Sequence, residues 1–270
     1  MSIRATISHL LRATGLMHTA DLLRYRSQQL KNLGRNQLFK KQNPEVALPP
    51  DYLIYESFQL DYKKYYHDSQ ETAREMTELF RQVIGPRGGL RILDWGCGPG
   101  RIIRHMKHYL GSDCKLYGTD YNRETIKWCK DNLHDIEFNL NTLEPKLPYA
   151  DNSFDIIYGI SIFTHLSADM HDGWMNELKR VLAPGGMLYL TCQGNAFKKI
   201  LTPVERGHFE RGELVIRGNV TEGHRTYSAF QPPRFMENLF APLSVVKHIE
   251  ATESDSKPLQ DIWIACKGCR

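Results

Sequence analysis

The feature that most constrains this chain is a glycine-rich turn between a short apolar segment and an amphipathic segment. Leu90-Arg91-Ile92-Leu93 is typical of a buried strand, and Gly96-Cys97-Gly98-Pro99-Gly100 follows it closely. Glycine lets the backbone approach a ligand, and the helix after such a turn points its free N–H groups at an anionic group. The segment therefore predicts a nucleotide-like ligand at the carboxyl end of the first strand of a sheet.

Short apolar segments continue to alternate with helical ones after this turn. Strands are predicted at 115–118, 136–138, 154–160 and 187–191, and helices at 68–84, 101–110, 122–132 and 169–182. Asp68, with Glu71 three residues later, is predicted to cap the first of these helices. Because alternation of this kind is typical of right-handed crossover units, we expect a doubly wound α/β fold with a mainly parallel sheet.

The chain after residue 193 has a different pattern. Residues 194–242 contain several glycines and scattered aromatics, and alternation at 213–217 predicts a hairpin within an insertion. Residues 243–248 and 261–266 predict two last strands, separated by a polar loop. This arrangement suits an antiparallel ending on the sheet edge.

The first 50 residues form a basic prefix. They hold eight Lys/Arg against Asp21 and Glu45, a local net charge of +6, and their apolar residues recur at helical spacing with a break near Gly15. Two amphipathic helices are predicted, followed by a linker at Pro44, Pro49 and Pro50. We expect a prefix at 1–50 and a main domain at 51–270, with the acceptor-covering insertion at 194–242.

Three interpretations of the prefix stay open. It can pack on the main domain or on a partner protein, it can make peripheral contact with a membrane through residues 1–40, or it can be an organelle-targeting peptide. The remaining residues carry a net charge of −2, which argues against a nucleic-acid-binding surface. Apolar runs are far shorter than the roughly 20 residues of a transmembrane helix.

Cysteine usage indicates the compartment. Six cysteines among 270 residues do not form a disulfide scaffold, and a typical secretory signal peptide is missing, so a reducing cytoplasm is predicted. Cys266 and Cys269 have the spacing of half a zinc site. No second Cys/His pair of matching spacing accompanies them, and no metal is predicted.

Two ligand classes compete for the glycine turn: dinucleotides and S-adenosylmethionine. Gly96-x-Gly98-x-Gly100 departs from the dinucleotide spacing G-x-G-x-x-G because Arg101 holds the last place. Asp94 discriminates between the classes, since a carboxylate two residues before the first glycine repels a pyrophosphate but can meet the ammonium of a methionine moiety. S-adenosylmethionine is therefore the predicted cofactor.

The sequence resembles the class I S-adenosylmethionine-dependent methyltransferases from Leu90 to Thr191. Four segments are similar to motifs of that family, in the family's order: 92–101, 117–121, 147–158 and 178–186. The resemblance implies a seven-stranded Rossmann-like sheet with an antiparallel final strand. It also implies methyl transfer as the activity.

The resemblance further implies roles for individual residues. Asp120 holds both ribose hydroxyls, and Tyr121 lies against the adenine. Many members have an acid after the third strand, where this chain has Asn141, whose side-chain carbonyl can still accept the adenine amino group. The predicted cofactor-binding set is Asp94, Gly96, Cys97, Gly98, Gly100, Asp120, Tyr121, Asn141, Thr142, Leu143 and Ser161.

Residues 161–167, with Trp174, look like a bacterial subgroup often found beside glycosyltransferase and other polysaccharide genes. The resemblance favours a saccharide or another small hydroxylated acceptor and hence O-methylation. His165 follows the fourth strand and is the predicted base, with His208 and His224 of the insertion as further candidates. Tyr65 and Tyr66 could close the pocket over the methionine part. N- or C-methylation of another metabolite, a catalytically silent cofactor-binding partner and a dehydrogenase are the alternatives.

Overall fold

The computed structural model describes residue 11 and residues 13–57, 60–252 and 259–268. The chain divides into two compact units. One comprises residues 18–141, and the other comprises residues 142–270 together with 1–17. They are called the first and second unit below.

The first unit contains three strands, each followed or preceded by a helix. Its elements are α1 (Met17–Gln42), α2 (Asp51–Ser57), a π-helical turn (Lys64–Asp68), α3 (Ser69–Ile84), β1 (Arg91–Trp95), α4 (Ile103–Leu110), β2 (Lys115–Asp120), α5 (Arg123–Asn132) and β3 (Glu137–Leu140). β2 pairs in parallel with both β1 and β3. Asp94 lies opposite Gly118 in this register, and Asp120 lies opposite Leu140.

The second unit contains the remaining strands. Its elements are β4 (Phe154–Gly159), a 3-10 turn (Phe163–His165), α6 (Ala168–Val181), β5 (Leu182–Cys192), a 3-10 helix (Asn195–Ile200), α7 (Pro203–Glu210), β6 (Val215–Arg217), β7 (Ser228–Phe230), α8 (Pro233–Phe240), β8 (Ser244–Ile249) and β9 (Asp261–Cys266). β4 and β5 are parallel, whereas β9 is antiparallel to both β5 and β8. β6 and β7 form the predicted hairpin of the insertion.

The strand order is β3-β2-β1-β4-β5-β9-β8. This order confirms the predicted doubly wound, mainly parallel seven-stranded sheet with an antiparallel final strand. The central strands are buried on both faces, as their runs of branched and aromatic residues require. Ile92 and Leu93 of β1 are fully buried, as are Ile156 and Ile157 of β4.

The predicted cap of α3 is wrong. Asp68 has helical backbone angles and its side chain makes no capping hydrogen bond, because the π-helical turn runs directly into α3. Glu71 pairs with Arg74 instead. The predicted end of α3 before Gly85 is confirmed, and Gly85 has a φ of +72°.

The prefix contains the long helix α1, which packs within the first unit. Phe39 of α1 shares a buried cluster with Val46, Ile54 and Tyr65, so the chain on both sides of the Pro44–Pro50 segment packs together. The domain boundary at residue 50 stays a prediction. Gly15, with a φ of +71°, lies just before α1 as expected. The first predicted prefix helix, with Ile3, Ile7 and Leu10, lies outside the described residues, as does Cys269.

None of the helices in the described ranges combines the length and the apolar character needed to cross a bilayer.

Gly118 of β2 and Gly34 of α1 differ in the space around them, which predicts opposite effects of replacing each with alanine. A Cβ on Gly118 would lie 2.7 Å from the Phe138 ring and 3.1 Å from Cys97 Sγ, whereas a Cβ on Gly34 of α1 meets nothing within 4 Å. Gly118→Ala should therefore destabilise the fold by about 1–3 kcal/mol through overpacking. Gly34→Ala should stabilise it by about 0.5–1 kcal/mol, because alanine is the better helix former. Urea unfolding midpoints measure both effects, and equal midpoints for the two variants would contradict this packing.

Candidate functional site

The glycine turn after β1 has a backbone that only glycine adopts without strain. Gly96, Gly98 and Gly100 have φ angles of +74°, +50° and +64°. The N–H groups of Gly96 and Cys97 both donate to the Thr119 carbonyl, each at 2.8 Å. The end of β2 therefore fixes the turn, as expected for a loop that receives a ligand at the carboxyl edge of a sheet.

The Asp120 carboxylate, at the end of β2, joins this turn to the loop after β2. Its Oδ2 accepts the Gly98 N–H at 2.9 Å, and its Oδ1 accepts the Asn122 N–H at 2.8 Å. A carboxylate has about four acceptor positions, and the Tyr121 N–H is a third main-chain donor to it. A ligand hydroxyl can use the acceptor capacity that remains. Tyr121 beside it is 43% exposed and offers a flat ring for a base.

A second carboxylate lies close to Asp120. Glu56 of α2 accepts a hydrogen bond from the Asn122 side-chain amide at 3.2 Å. Burial raises the pKa of Asp120 to about 6 and the charge of Glu56 adds to this, although the N–H groups of Asn122 and Gly98 favour the ionised form. Glu56 could not be found from the sequence, because 66 residues separate it from Asn122 and no motif marks it.

Asp94 and Cys97 lie at the start of the turn and differ in what they offer. The Asp94 side chain is almost fully buried in β1, two residues before Gly96. The Cys97 side chain is also buried, and burial raises the pKa of its thiol well above the usual value, so the thiol stays neutral. Cys97 thus offers a ligand its main chain rather than a charge.

Tyr65 supports the turn from the π-helical segment. It is fully buried, and its hydroxyl donates to the Pro99 carbonyl at 2.9 Å. Tyr66 instead packs edge-on against His105, with ring centroids 4.8 Å apart, and lies under the Arg104 guanidinium. The hydroxyl of Tyr65 is therefore used to hold the loop, which the sequence analysis did not foresee.

The three residues after β3 fall into both units. The Asn141 N–H donates to the Asp120 carbonyl at 3.1 Å, which places Asn141 beside the end of β2. Thr142 and Leu143 belong to the second unit, where the Leu143 carbonyl accepts the Trp174 indole N–H at 3.1 Å. The structure thus brings together the predicted residues of the first unit: Asp94, Gly96, Cys97, Gly98, Gly100, Asp120, Tyr121 and Asn141.

Ser161 of the second unit follows β4 in a strained conformation. Its φ is +65°, which is uncommon for a residue other than glycine and is typical of functional sites when the surroundings hold it. Its N–H donates to Thr191 Oγ1 at 2.8 Å, and Gln260 donates to its hydroxyl at 2.7 Å. The sequence analysis missed Thr191 and Gln260, which lie 30 and 99 residues away.

His165 lies in the turn after Ser161, with a defined tautomer. Its Nδ1 is 2.9 Å from the Tyr227 carbonyl. Since a carbonyl only accepts, Nδ1 carries the proton and Nε2 of the neutral ring keeps a lone pair. Burial lowers the pKa of His165 and the nearby His224 and Arg225 act in the same direction, against the Tyr227 carbonyl. The ring is therefore neutral at pH 7 and can accept a proton at Nε2.

The insertion holds this turn at two further points. Gly223 N–H donates to the His165 carbonyl at 2.9 Å, and Glu222 Oε1 accepts the Ser167 N–H at 2.6 Å. His224 is thus brought near His165. His208 is exposed on α7 and is 2.5 Å from Glu213 Oε2, in a surface ion cluster.

A buried histidine, which the sequence analysis did not single out, supports the same turn from below. His171 Nδ1 donates to the Ser167 carbonyl at 2.7 Å, and its Nε2 accepts from the Gln231 amide at 3.1 Å. That amide also donates to the Phe163 carbonyl at 2.9 Å. Burial lowers the pKa of His171 to about 4, so it is a neutral structural group.

Comparison with known families agrees with this geometry. The family described as "Methyltransferase domain" matches residues 93–190. Methyltransferase GfsG of Streptomyces halstedii is 32% identical over 44% of this chain and 43% of its own length. The ubiquinone/menaquinone biosynthesis C-methyltransferase UbiE of Laribacter hongkongensis is 31% identical, over 46% of this chain and 49% of its own.

A third relative is the sterol 24-C-methyltransferase erg6 of Schizosaccharomyces pombe, 33% identical over 38% of this chain and 28% of its own length. The chain thus matches less than half the length of each of these curated relatives. The family match at 93–190 lies in the region that carries the motifs.

Solved structures share the fold. A S-adenosylmethionine-dependent methyltransferase from Methanosarcina mazei aligns with a TM-score of 0.54 at 19% identity, over 71% of this chain and 98% of that chain. Another from Mesorhizobium loti aligns with a TM-score of 0.52 at 16% identity, over 73% of this chain and 99% of that chain.

The family match shows that residues 93–190 belong to a methyltransferase domain, and the strand order gives the chain the class I, Rossmann-like fold. This family implies S-adenosylmethionine as the cofactor.

Proposed function

We propose that this protein transfers the methyl group of S-adenosylmethionine to a hydroxyl group of a small acceptor, of saccharide type in the first instance. The observation that supports this proposal is the protonation state and tautomer of the His165 imidazole. A neutral imidazole with its Nδ1–H held by the Tyr227 carbonyl has Nε2 as its proton acceptor. A neutral hydroxyl needs such a base, whereas an already nucleophilic acceptor does not.

The predicted cofactor-binding residues bind S-adenosylmethionine and orient it. Asp120 accepts the two ribose hydroxyls, Asp94 accepts the ammonium of the methionine part, and Tyr121 lies against the adenine. The main chain of Gly96, Cys97, Gly98 and Gly100 forms the surface under the cofactor, and Asn141, Thr142, Leu143 and Ser161 complete the set. When bound, S-adenosylmethionine supplies a methyl group on a positively charged sulfur.

The chain's contribution to the reaction is alignment and removal of one proton. The bound cofactor would supply the methyl carbon to the acceptor oxygen, and its sulfur would keep the electron pair of the broken bond. The hydroxyl proton passes to His165 Nε2. Because the insertion bonds the turn at His165 and Ser167, the imidazole is held in place before the acceptor arrives.

The saccharide preference is supported by residues 161–167 and Trp174, which resemble the subgroup beside polysaccharide genes. C-methylation of another metabolite is the second candidate. Two relatives, the C-methyltransferase UbiE and the sterol 24-C-methyltransferase, are named for transfer to carbon. Labelled cofactor incubated with sugars and with quinone or sterol precursors separates these candidates, and labelling of neither class would leave a cofactor-binding role.

A cytoplasmic location is also proposed. The five cysteines within the described residues are free and buried, which suits a reducing compartment. Residues 1–40 are proposed to contact a partner protein or the membrane surface.

The ribose assignment of Asp120 predicts a loss of cofactor affinity on substitution. Asp120→Ala removes two charge-assisted hydrogen bonds, each contributing roughly 1.5–3 kcal/mol, and should weaken S-adenosylmethionine binding at least about tenfold. Titration calorimetry measures this. Asp131→Ala, on the exposed face of α5, is the control and should bind like the parent. An unchanged affinity of Asp120→Ala for S-adenosylmethionine would contradict the assignment of Asp120 to the ribose.

The raised pKa of Asp120 predicts a pH-dependent affinity. Protonation below a pKa of about 6 weakens the carboxylate as an acceptor, so affinity should fall as the pH drops through about 6, by up to about tenfold per pH unit. Glu56→Gln removes a neighbouring negative charge and should move this fall to lower pH. Asp120→Asn should bind weakly and without the fall. A parent affinity that stays constant across this range would contradict the ionisation of Asp120 in the complex.

The base assignment predicts a kinetic defect without a binding defect. His165→Ala should lower the methyl-transfer rate by about 10²–10⁴-fold with little change in cofactor affinity. His134→Ala, at an exposed position of the first unit, is the control. The parent rate should be level near neutral pH and should fall only below the usual histidine pKa of 6.5, because burial lowers the pKa of His165. A His165 variant as fast as the parent would exclude this base and turn attention to His224 and His208.

A further inference from the structure

The helix α1 packs on the first unit through amide side chains. Asn32 and Asn36 are buried, and both side chains bond the main chain at residues 60–62: the Asn32 amide donates to the Leu60 carbonyl, and Asn36 Oδ1 accepts the Tyr62 N–H at 3.0 Å. Gln28 Oε1 accepts the Leu60 N–H at 3.1 Å. Apart from Phe39, the buried residues of α1 are therefore polar.

Three leucines of α1 lie in solvent, and Arg26 and Lys41 share their side of the helix. Leu23, Leu30 and Leu33 are 67%, 77% and 54% exposed. At about 100° per residue these three leucines fall within about 80° of one another, in a sector centred about 140° from Asn32 and about 100° from Asn36 around the helix. A surface helix of a globular protein normally has the reverse arrangement. These three residues are called the leucine face below.

Basic side chains surround the leucine face. α1 carries six Lys/Arg, all exposed: Arg24, Arg26, Lys31, Arg35, Lys40 and Lys41. The single acid of α1 is Asp21, which accepts a hydrogen bond from the Tyr55 hydroxyl at 2.9 Å. Among the residues that the structure describes, Arg24, Lys31 and Lys41 form no ion pair. Their charge is available to an anionic partner.

We propose that α1 docks on an anionic lipid surface, with the leucine face among the acyl chains near the headgroups and the lysines and arginines on the lipid phosphates. Exposed leucines beside lysine and arginine allow a helix to lie in a membrane interface, and each cation near such a surface strengthens binding. A second copy of the chain is the poorer occupant. Leucine faces placed together would bring two sets of six cations side by side, and these repel each other.

Substitution tests this better than removal of the prefix, because α1 contributes Phe39 to the core. The full chain is sedimented with vesicles of phosphatidylcholine alone and of an equimolar mixture of phosphatidylcholine and phosphatidylglycerol. We expect the parent to sediment with the mixed vesicles only, and to be released as the salt concentration rises.

Two variants address the two parts of the surface. Leu23→Gln/Leu30→Gln/Leu33→Gln keeps good helix formers and should lower the fraction bound at least about tenfold. Its control replaces exposed apolar residues elsewhere: Val204→Gln/Ile216→Gln/Leu259→Gln. Arg24→Gln/Lys31→Gln/Lys41→Gln should also lose at least about tenfold. Its control, with equal loss of charge, is Arg87→Gln/Lys130→Gln/Lys247→Gln.

Vesicle sedimentation, circular dichroism, calorimetry and light scattering together distinguish lipid binding from the alternatives. Both controls should bind vesicles like the parent, and all four variants should keep the parent's circular dichroism and its calorimetric affinity for S-adenosylmethionine. Absence of binding to mixed vesicles, equal binding to both vesicle types, or equal loss in the controls would overturn the proposal. So would a dimer in light scattering that only the leucine variant dissociates, since a second copy would then cover the leucine face.

Discussion

The first unit depends on the hydrogen bonds that join the glycine turn after β1 to the end of β2. The Thr119 carbonyl accepts two N–H groups of the turn, and the Asp120 carboxylate accepts a third from Gly98. These bonds hold three glycines at positive φ, where other residues would be strained. The same carboxylate keeps part of its acceptor capacity for a ligand hydroxyl, so one side chain both builds the turn and can bind a ligand.

The position of Asp120 beside the turn also affects the ionisation of its carboxyl group. Asp120 is withdrawn from water and lies near the Glu56 carboxylate, and both effects raise its pKa to about 6. The unliganded site thus holds a carboxylate that is less stable in its charged form than usual. Hydroxyl groups of a ligand would replace part of the lost hydration, which favours binding of a ligand that donates there over one that does not.

In the second unit the corresponding constraint is on the turn after β4. Ser161 is held in a strained conformation by Thr191 and Gln260, and the turn that follows is bonded by the insertion at His165 and Ser167. His171 and Gln231 support it from the buried side. A segment fixed from several directions loses little further freedom when an acceptor binds, which suits a residue that must act in a defined orientation.

The sequence by itself determined the alternating order of β1 to β5 and the helices between them, the glycine turn and the residues at the ends of β1 and β2. These signals are local: a few consecutive apolar residues, a glycine spacing and an acid at a fixed offset. Tertiary structure decided what depends on distant partners. The tautomer of His165 is set by Tyr227, 62 residues away, and Glu56 reaches Asn122 across 66 residues. The same holds for the outward leucines of α1 and for α3, which has no side-chain cap at Asp68. Packing decides which side of a helix is covered, and the preceding helical turn decides where α3 begins. A periodicity within one segment contains neither kind of information.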